Sequence, residues 1–287
     1  MTARNKTREK AGLALHRTIC YLALIFLAIL STFFFYILII NTTRSHPDIQ
    51  KGFSLLPGRT LLINLQNVFN NPNLPVMSSL KNSLFISACT ALVGTYFSAM
   101  TAFGIHAYNF KFKRLAFVFI MVIMLVPTQV SALGFVSLMS QMELKNSFIP
   151  LIIPSMASPV VFFFMKQYME SSLPVEIIEA ARIDGSNEFA TFNKIVLPIM
   201  KPAMAVQAIF MFVASWNNYF LPALLLDSND KKTLPILIAQ LRSADFMKFD
   251  MGQVYTLIAI AIVPVIIVYL LLSKYIVRGV TLGSVKG

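Results

Sequence analysis

Six long apolar runs, divided by short polar or basic segments, set the pattern of this chain. The first, 19–40, is uninterrupted, and twenty-two residues at about 1.5 Å each cross roughly 30 Å of hydrocarbon. The same pattern predicts spans over 80–105, 115–138, 148–165, 203–226 and 254–272. Pro127 interrupts the third run, and Pro150, Pro154 and Pro159 lie in the fourth. Such prolines break helices in water, but in a bundle neighbouring helices satisfy the freed backbone groups. Between the first two runs, 41–79 reads as an outer loop rich in Asn, Pro and Ser. Leu61, Leu65, Val68 and Phe69 keep helical spacing there, which predicts a short amphipathic surface helix. Residues 143–146 read as a tight turn, and 227–252 as a second polar outer segment.

Composition agrees with a membrane protein. The chain is 57% hydrophobic and 13% charged, with mean hydropathy +0.72, whereas soluble domains carry about a quarter charged residues. The fold class is therefore all-α: a polytopic membrane protein of six helices, with one membrane domain over 19–278. Segment 1–18 precedes it and a tail, 279–287, follows. A basic start before an apolar run also describes a signal peptide, but this run is too long and no small-residue cleavage site follows. Cys20 and Cys89 both fall inside apolar runs and read as small packing residues, not as a disulfide or metal pair.

The net charge of +12 concerns orientation, not nucleic acid. Segments 1–18, 106–114, 166–202 and 273–287 hold fifteen Lys and Arg, and the alternate set holds nine. By the positive-inside rule the first set is cytoplasmic. The expectation is a multi-pass protein of the bacterial cell membrane with both termini in the cytoplasm, in contact with lipid and without nucleic acid.

The spans carry no Asp, Glu, Lys or Arg near their middles. Ion-coupled carriers commonly need an ionisable group there, so a carrier or channel is disfavoured. Gln129 and Gln207 read most simply as helix–helix hydrogen-bond partners. The cluster Trp216, Asn217, Asn218 and Tyr219 is a candidate pathway lining, since an aromatic face beside amides suits sugar hydroxyls. No catalytic or metal site is expected. His16, His46 and His106 have no partner at ligand spacing, and there is no H-E-x-x-H, G-x-S-x-G or P-loop. A membrane enzyme or assembly factor is disfavoured for the same reason. If ATP drives this protein, another chain binds it.

The remaining feature is a polar island at 171–202. With Glu170 at its edge it holds Glu176, Glu179, Asp184 and Glu188, five of the chain's twelve acidic residues. Pro174 suits a helix first turn, and Ile177, Ile178 and Ala181 form an apolar stripe. Glu179 and Arg182 can pair at i, i+3. Gly185 is placed to end the helix in a left-handed conformation. Ser186 can cap a second short helix over 187–195, after which Leu197-Pro198 and Pro202 turn the chain back into the membrane. The product is a rigid helix–Gly–helix elbow that a soluble partner can grip. An amphipathic loop lying on lipid is the alternative, but the anionic inner leaflet favours basic segments.

These residues resemble a family. Glu179-Ala180-Ala181-Arg182-Ile183-Asp184-Gly185, then Ile195-Val196-Leu197-Pro198 after nine residues, resembles the E-A-A-x-x-x-G-x9-I-x-L-P signature of bacterial ABC-importer permeases at every signature position. The six-span layout, Trp216-Asn217 and the ending Gly279 to Gly287 are similar to the shorter permease of maltose and multiple-sugar importers. The resemblance implies a type I importer permease fold, a second permease, a cytoplasmic ATPase dimer and an extracytoplasmic solute-binding protein. It implies that ATP and magnesium sit on the ATPase and that this chain binds no cofactor. The elbow becomes the coupling element. Glu179 would be its charged anchor, Ala180 and Ala181 would allow close approach, and Asp184, Gly185, Leu197 and Pro198 would complete it. Gly283, Val285, Lys286 and Gly287 would reach between the ATPases, and 227–250 would reach the binding protein. The implied cargo is a sugar or oligosaccharide. A polyamine, phosphate or glycerol phosphate is the rival, and the uncharged spans speak for a neutral solute.

Overall fold

The computed structural model describes residues 3–72, 74–243 and 250–283. It divides into two compact units, one from 1–70 with 244–259 and one from 71–243 with 260–287.

In the first unit, α1 (Ala3–Thr42) carries the long apolar run, and α2 (His46–Gln50) and α3 (Leu61–Phe69) fold the loop that follows. The expected amphipathic helix is thus present as α3, with Val68 fully buried. Asn64 on α3 donates through Nδ2 to the carbonyls of Thr42 (2.8 Å) and Arg44 (2.9 Å). Arg44 is itself buried and donates to Asn41, Asp48 and Gly52. Buried polar groups need such partners. The polar loop is therefore a folded cap and not an open connection.

In the second unit, α4 (Val76–Ala107) is the central helix. One face carries Ser79, Ser83, Ser87, Thr90, Ala91, Gly94, Thr95, Ser98, Ala99 and Ala102, all buried. Small residues at three- and four-residue spacing let helix backbones approach closely in a membrane, where packing replaces the hydrophobic effect as the driving force. Gly94 shows how close: a Cβ there would lie 2.2 Å from the Met211 side chain and 3.0 Å from the Ser155 carbonyl.

The third predicted span is two helices, α5 (Lys113–Ile123) and α6 (Thr128–Gln141), bent by 96°. Pro127 is the N-cap of α6, with extended backbone. A proline cannot continue the i→i−4 ladder, and the residue before it is pushed out of the helical region. In the fourth span the three prolines each open a short element. Pro150 lies in the first turn of α7 (Ile149–Ile152), Pro154 in a 3-10 turn (Ile153–Ala157), and Pro159 begins α8 (Pro159–Ser172). Missing N–H groups cost nothing at those positions.

After α8 come α9 (Val175–Ile183), α10 (Glu188–Thr191) and α11 (Leu197–Trp216). The expectation that Leu197-Pro198 and Pro202 turn the chain is corrected: a π-helical turn (Phe192–Val196) joins α10 to α11, so 188–216 runs on as one helical course. Proline 198 has no N–H for the Lys194 carbonyl, and the wider π turn absorbs that missing bond. The fifth span also ends earlier than predicted, at Trp216. Asn217 caps it, and α12 (Phe220–Leu225) is a separate helix. Segment 227–252 is less polar in structure than in composition, since α13 (Leu234–Arg242) buries Leu234, Ile236, Leu237 and Leu241. The last helix, α14 (Met251–Gly283), continues past the predicted span end. Five helical stretches are long and apolar enough to cross a membrane among the described residues, and the α5–α6 pair makes a sixth.

Candidate functional site: the elbow at 171–202

The elbow is built on the core of the second unit. Ile178 from α9 and Phe192, Val196 and Met200 from the π turn and α11 join Ala99, Phe103, Met165 and Met169 in one buried cluster. Burying such a side chain contributes about 1.5–3 kcal/mol relative to leaving it exposed. The Phe192 ring centroid lies 5.6 Å from that of Tyr96 and 5.5 Å from that of Phe103. Polar contacts add direction. Tyr96 Oη donates to Asn193 Oδ1 at 3.1 Å. His106 Nε2, at the end of α4, lies 2.9 Å from the Leu173 carbonyl at the entry to the elbow. A push on this knob therefore reaches α4, α8 and α11 through close-packed contacts.

The bend has the geometry that its sequence predicts. Gly185 has φ +78°. Its N–H donates to the Arg182 carbonyl and the Ser186 N–H to the Ala181 carbonyl, both at 3.0 Å. This is a Schellman closure of α9, with glycine in the left-handed position. Asn187, not Ser186, caps the next helix, its Oδ1 accepting from Ala190 N at 2.8 Å. Ser186 Oγ accepts instead from Thr191 Oγ1 at 3.0 Å.

The expected Glu179–Arg182 pair does not form. Arg182 Nε donates to Glu188 Oε1 at 2.8 Å, across the glycine turn. The Arg182 guanidinium also lies over the Tyr108 ring, 5.1 Å from its centroid. The bond to Glu188 raises the already high Arg182 pKa further. Burial, and then the neighbouring Glu188 carboxylate, push the Tyr108 phenol above its ordinary value. Tyr108 and Glu188 were not legible as partners of Arg182. Tyr108 lies more than seventy residues away, and no local pattern marks it.

What is left outside is apolar and acidic. Ile183 is 86% exposed and Phe189 68% exposed. Glu176, Glu179 and Asp184 are exposed, and among the described residues no ion pair engages them. Ala180 is exposed beside them, while Ala181 is buried against the core. Leu197 and Pro198 lie at the start of α11. The elbow thus presents a firm, partly greasy, negatively charged tip.

The pathway candidates divide. Trp216 is 2% exposed, donates from Nε1 to the Ala261 carbonyl at 3.1 Å, and stacks on Phe212 with centroids 5.6 Å apart. Its ring ties α11 to α14. Asn217 is exposed and Asn218 half-buried, the latter lining a cavity beside Ser215. Of the tail candidates, Gly283 ends α14, and Val285, Lys286 and Gly287 lie outside the described residues. No cluster of three or more His, Cys, Asp or Glu side chains with metal-binding geometry occurs among the described residues.

This chain is similar over most of its length to known transport proteins. It is 33% identical to the arabinooligosaccharides transport system permease protein AraQ of Halalkalibacterium halodurans, covering 91% of this chain and 94% of that one. It is 30% identical to the lactose transport system permease protein LacG of Rhizobium radiobacter, covering 93% and 95%. In fold it matches a chain in the crystal structure of a bacterial ABC transporter involved in the import of the acidic polysaccharide alginate. The TM-score is 0.79 at 20% identity, over 92% of this chain and 97% of that one. Residues 94–282, which include the whole elbow, match the family described as binding-protein-dependent transport system inner membrane component. The chain belongs to that family of inner-membrane permeases.

Proposed function

We propose that this permease imports a neutral sugar or oligosaccharide, with a second permease completing the pathway and ATP hydrolysed with magnesium on a cytoplasmic ATPase dimer. The single observation that carries the coupling is the elbow. Its buried side belongs to the bundle core through Ile178 and Phe192, and its outer side offers Ile183 and Phe189. Closure of the ATPases around that tip would rock α4, α8 and α11 together, alternating the pathway between its inward- and outward-facing forms. Glu179 would meet a basic residue of the ATPase, and the tail from Gly279 to Gly287 would add a second contact. Both termini then lie in the cytoplasm, and a binding protein delivers the solute at the opposite face. Relatives named for arabinooligosaccharide and lactose transport support a sugar as cargo, as does the absence of charge in the middle of the spans.

The test is uptake of labelled arabinotriose, lactose, maltose and glycerol 3-phosphate by a strain lacking this chain, complemented with the wild type or with Glu179→Lys. The wild type is expected to restore uptake of at least one sugar in an ATP-dependent manner, and the variant to insert but not transport. Restored uptake of glycerol 3-phosphate alone would move the cargo to anionic solutes, and ATP-independent uptake would overturn the coupling.

A further inference from the structure

The second unit holds a partly open recess of about 290 Å³ between α4, α6, α7, α11 and α12, with Thr233 also in its lining. Its polar lining is made of neutral side chains, among them Ser83, Ser87, Ser131, Ser215, Asn218 and Thr233, and among the described residues no titratable side chain lines it. Ser83 is already engaged, its Oγ accepting from Leu234 N at 2.8 Å. Ser87 and Thr233 are different. They are 1% and 4% exposed, and neither hydroxyl has a hydrogen-bond partner among the described residues. A buried hydroxyl left unpaired carries a desolvation penalty that a ligand's own hydroxyl relieves.

The surroundings narrow the ligand. A charged solute would find no counter-charge here, and an apolar one would leave both hydroxyls orphaned. Ligand pockets usually begin near 300 Å³, so the space suits one small ring and not a chain. The second half of the broken span, α6, forms one wall. Irregular backbone such as the break before it is tolerated at membrane depth where it lines a cavity or is buried in protein. The recess is also far from the elbow. Ser87 and His106 are nineteen positions apart on α4, or about 28 Å at 1.5 Å per residue, which sets the recess towards the other side of the bundle.

We infer that this recess is a subsite for a single neutral sugar ring, held by the Ser87 and Thr233 hydroxyls with Asn218 beside them. It gives this chain its own contact with the cargo near the face where solute enters. The inference rests on the sugar-importer reading above. Ordered water has the same hydrogen-bonding chemistry, so the test must separate the two.

A thiol in the recess makes that separation. In the assembled importer, with Cys20 and Cys89 replaced, Thr233→Cys is alkylated by a small methanethiosulfonate reagent in the presence of arabinotriose, lactose, maltose or glycerol 3-phosphate. The transported sugar at ten times its dissociation constant should slow alkylation about tenfold, and glycerol 3-phosphate should not. Adding Ser87→Ala should raise the half-protecting sugar concentration about two- to tenfold, and Ser87→Thr should restore it. If Thr233→Cys does not assemble, Ser87→Cys serves as the reporter. An unchanged rate with every sugar the importer carries would mean the recess holds water only and overturn the subsite, as would a thiol that no reagent reaches. Wild-type uptake of none of the sugars would instead sink the reading of the cargo as a sugar, and the subsite with it.

Discussion

Arg182 bonds Glu188 across the Gly185 turn, Nε to Oε1 at 2.8 Å, and thereby ties the two helices of the elbow to each other. Both side chains are more than a third exposed, so solvent screens the pair and it adds little to stability. Its value is geometric, because it fixes the angle at which Ile183 and Phe189 are presented. Arg182→Ala should leave insertion and expression near wild type while lowering binding-protein-stimulated ATPase activity and uptake together. The charge exchange Arg182→Glu with Glu188→Arg should recover part of the loss. Equal activity of the single variant would remove the pair from the coupling device.

Gly185 offers a purely conformational test. A Cβ placed there meets nothing within 4 Å, yet φ is +78°. Left-handed backbone costs a non-glycine residue about 1–2 kcal/mol. Gly185→Asn, the residue best suited to that conformation after glycine, should transport nearly normally. Gly185→Ala should lose about 1 kcal/mol of stability and some transport, and Gly185→Val more of both. Thermal unfolding in detergent alongside uptake measures the series, and a valine variant indistinguishable from wild type would contradict the turn's role.

Gly94 tests packing instead. Gly94→Ala must displace Met211, whose flexible end can give, and crowds the Ser155 carbonyl, which cannot. Gly94→Leu should force α4 away from α11 and lower both the melting temperature and the yield of folded protein. Overpacking of this kind costs about 1–3 kcal/mol. A melting temperature equal to wild type would show that the helices are not in close contact.

The pH response of the elbow follows from Tyr108. Burial first, and then Glu188, raise its folded pKa above the ordinary value of 10.0. A raised folded value means that the stabilisation is fully present below about pH 10 and is lost as pH climbs through the raised value. Coupling should therefore show no Tyr108-dependent change between about pH 7 and 9. Stability of wild type should fall more steeply above pH 10 than that of Tyr108→Phe, as read by intrinsic fluorescence in a pH series.

Much of the elbow was legible in the sequence, and the reason is local chemistry. Gly185 and the helix before it depend on neighbours within one or two turns, so the turn could be drawn without a structure. The course after Thr191 could not, because two prolines usually break a helix and only a π turn lets the chain run through Pro198. The Glu179–Arg182 pairing failed for a related reason. Helical spacing offers Arg182 only Glu179, three residues back, whereas the glycine turn brings Glu188, six residues on, within reach of its Nε. Trp216 beside two amides suits a pathway lining in sequence, whereas its burial between α11 and α14 depends on packing that no local pattern carries. Small residues at 79, 83, 87, 91, 94 and 98 mark the packed face of α4 as plainly as an apolar stripe marks a soluble helix.

The central claim is that the elbow tip faces the cytoplasm and is gripped there by an ATPase. Ile183, 86% exposed at that tip, is the position to ask. With Cys20 and Cys89 replaced, Ile183→Cys is treated with a membrane-impermeant maleimide in right-side-out and inside-out vesicles, with and without the ATPase subunits. Labelling only in inside-out vesicles, and strongly reduced by the ATPase, is the predicted result. Labelling from the outer face, or labelling that the ATPase leaves unchanged, would contradict the account.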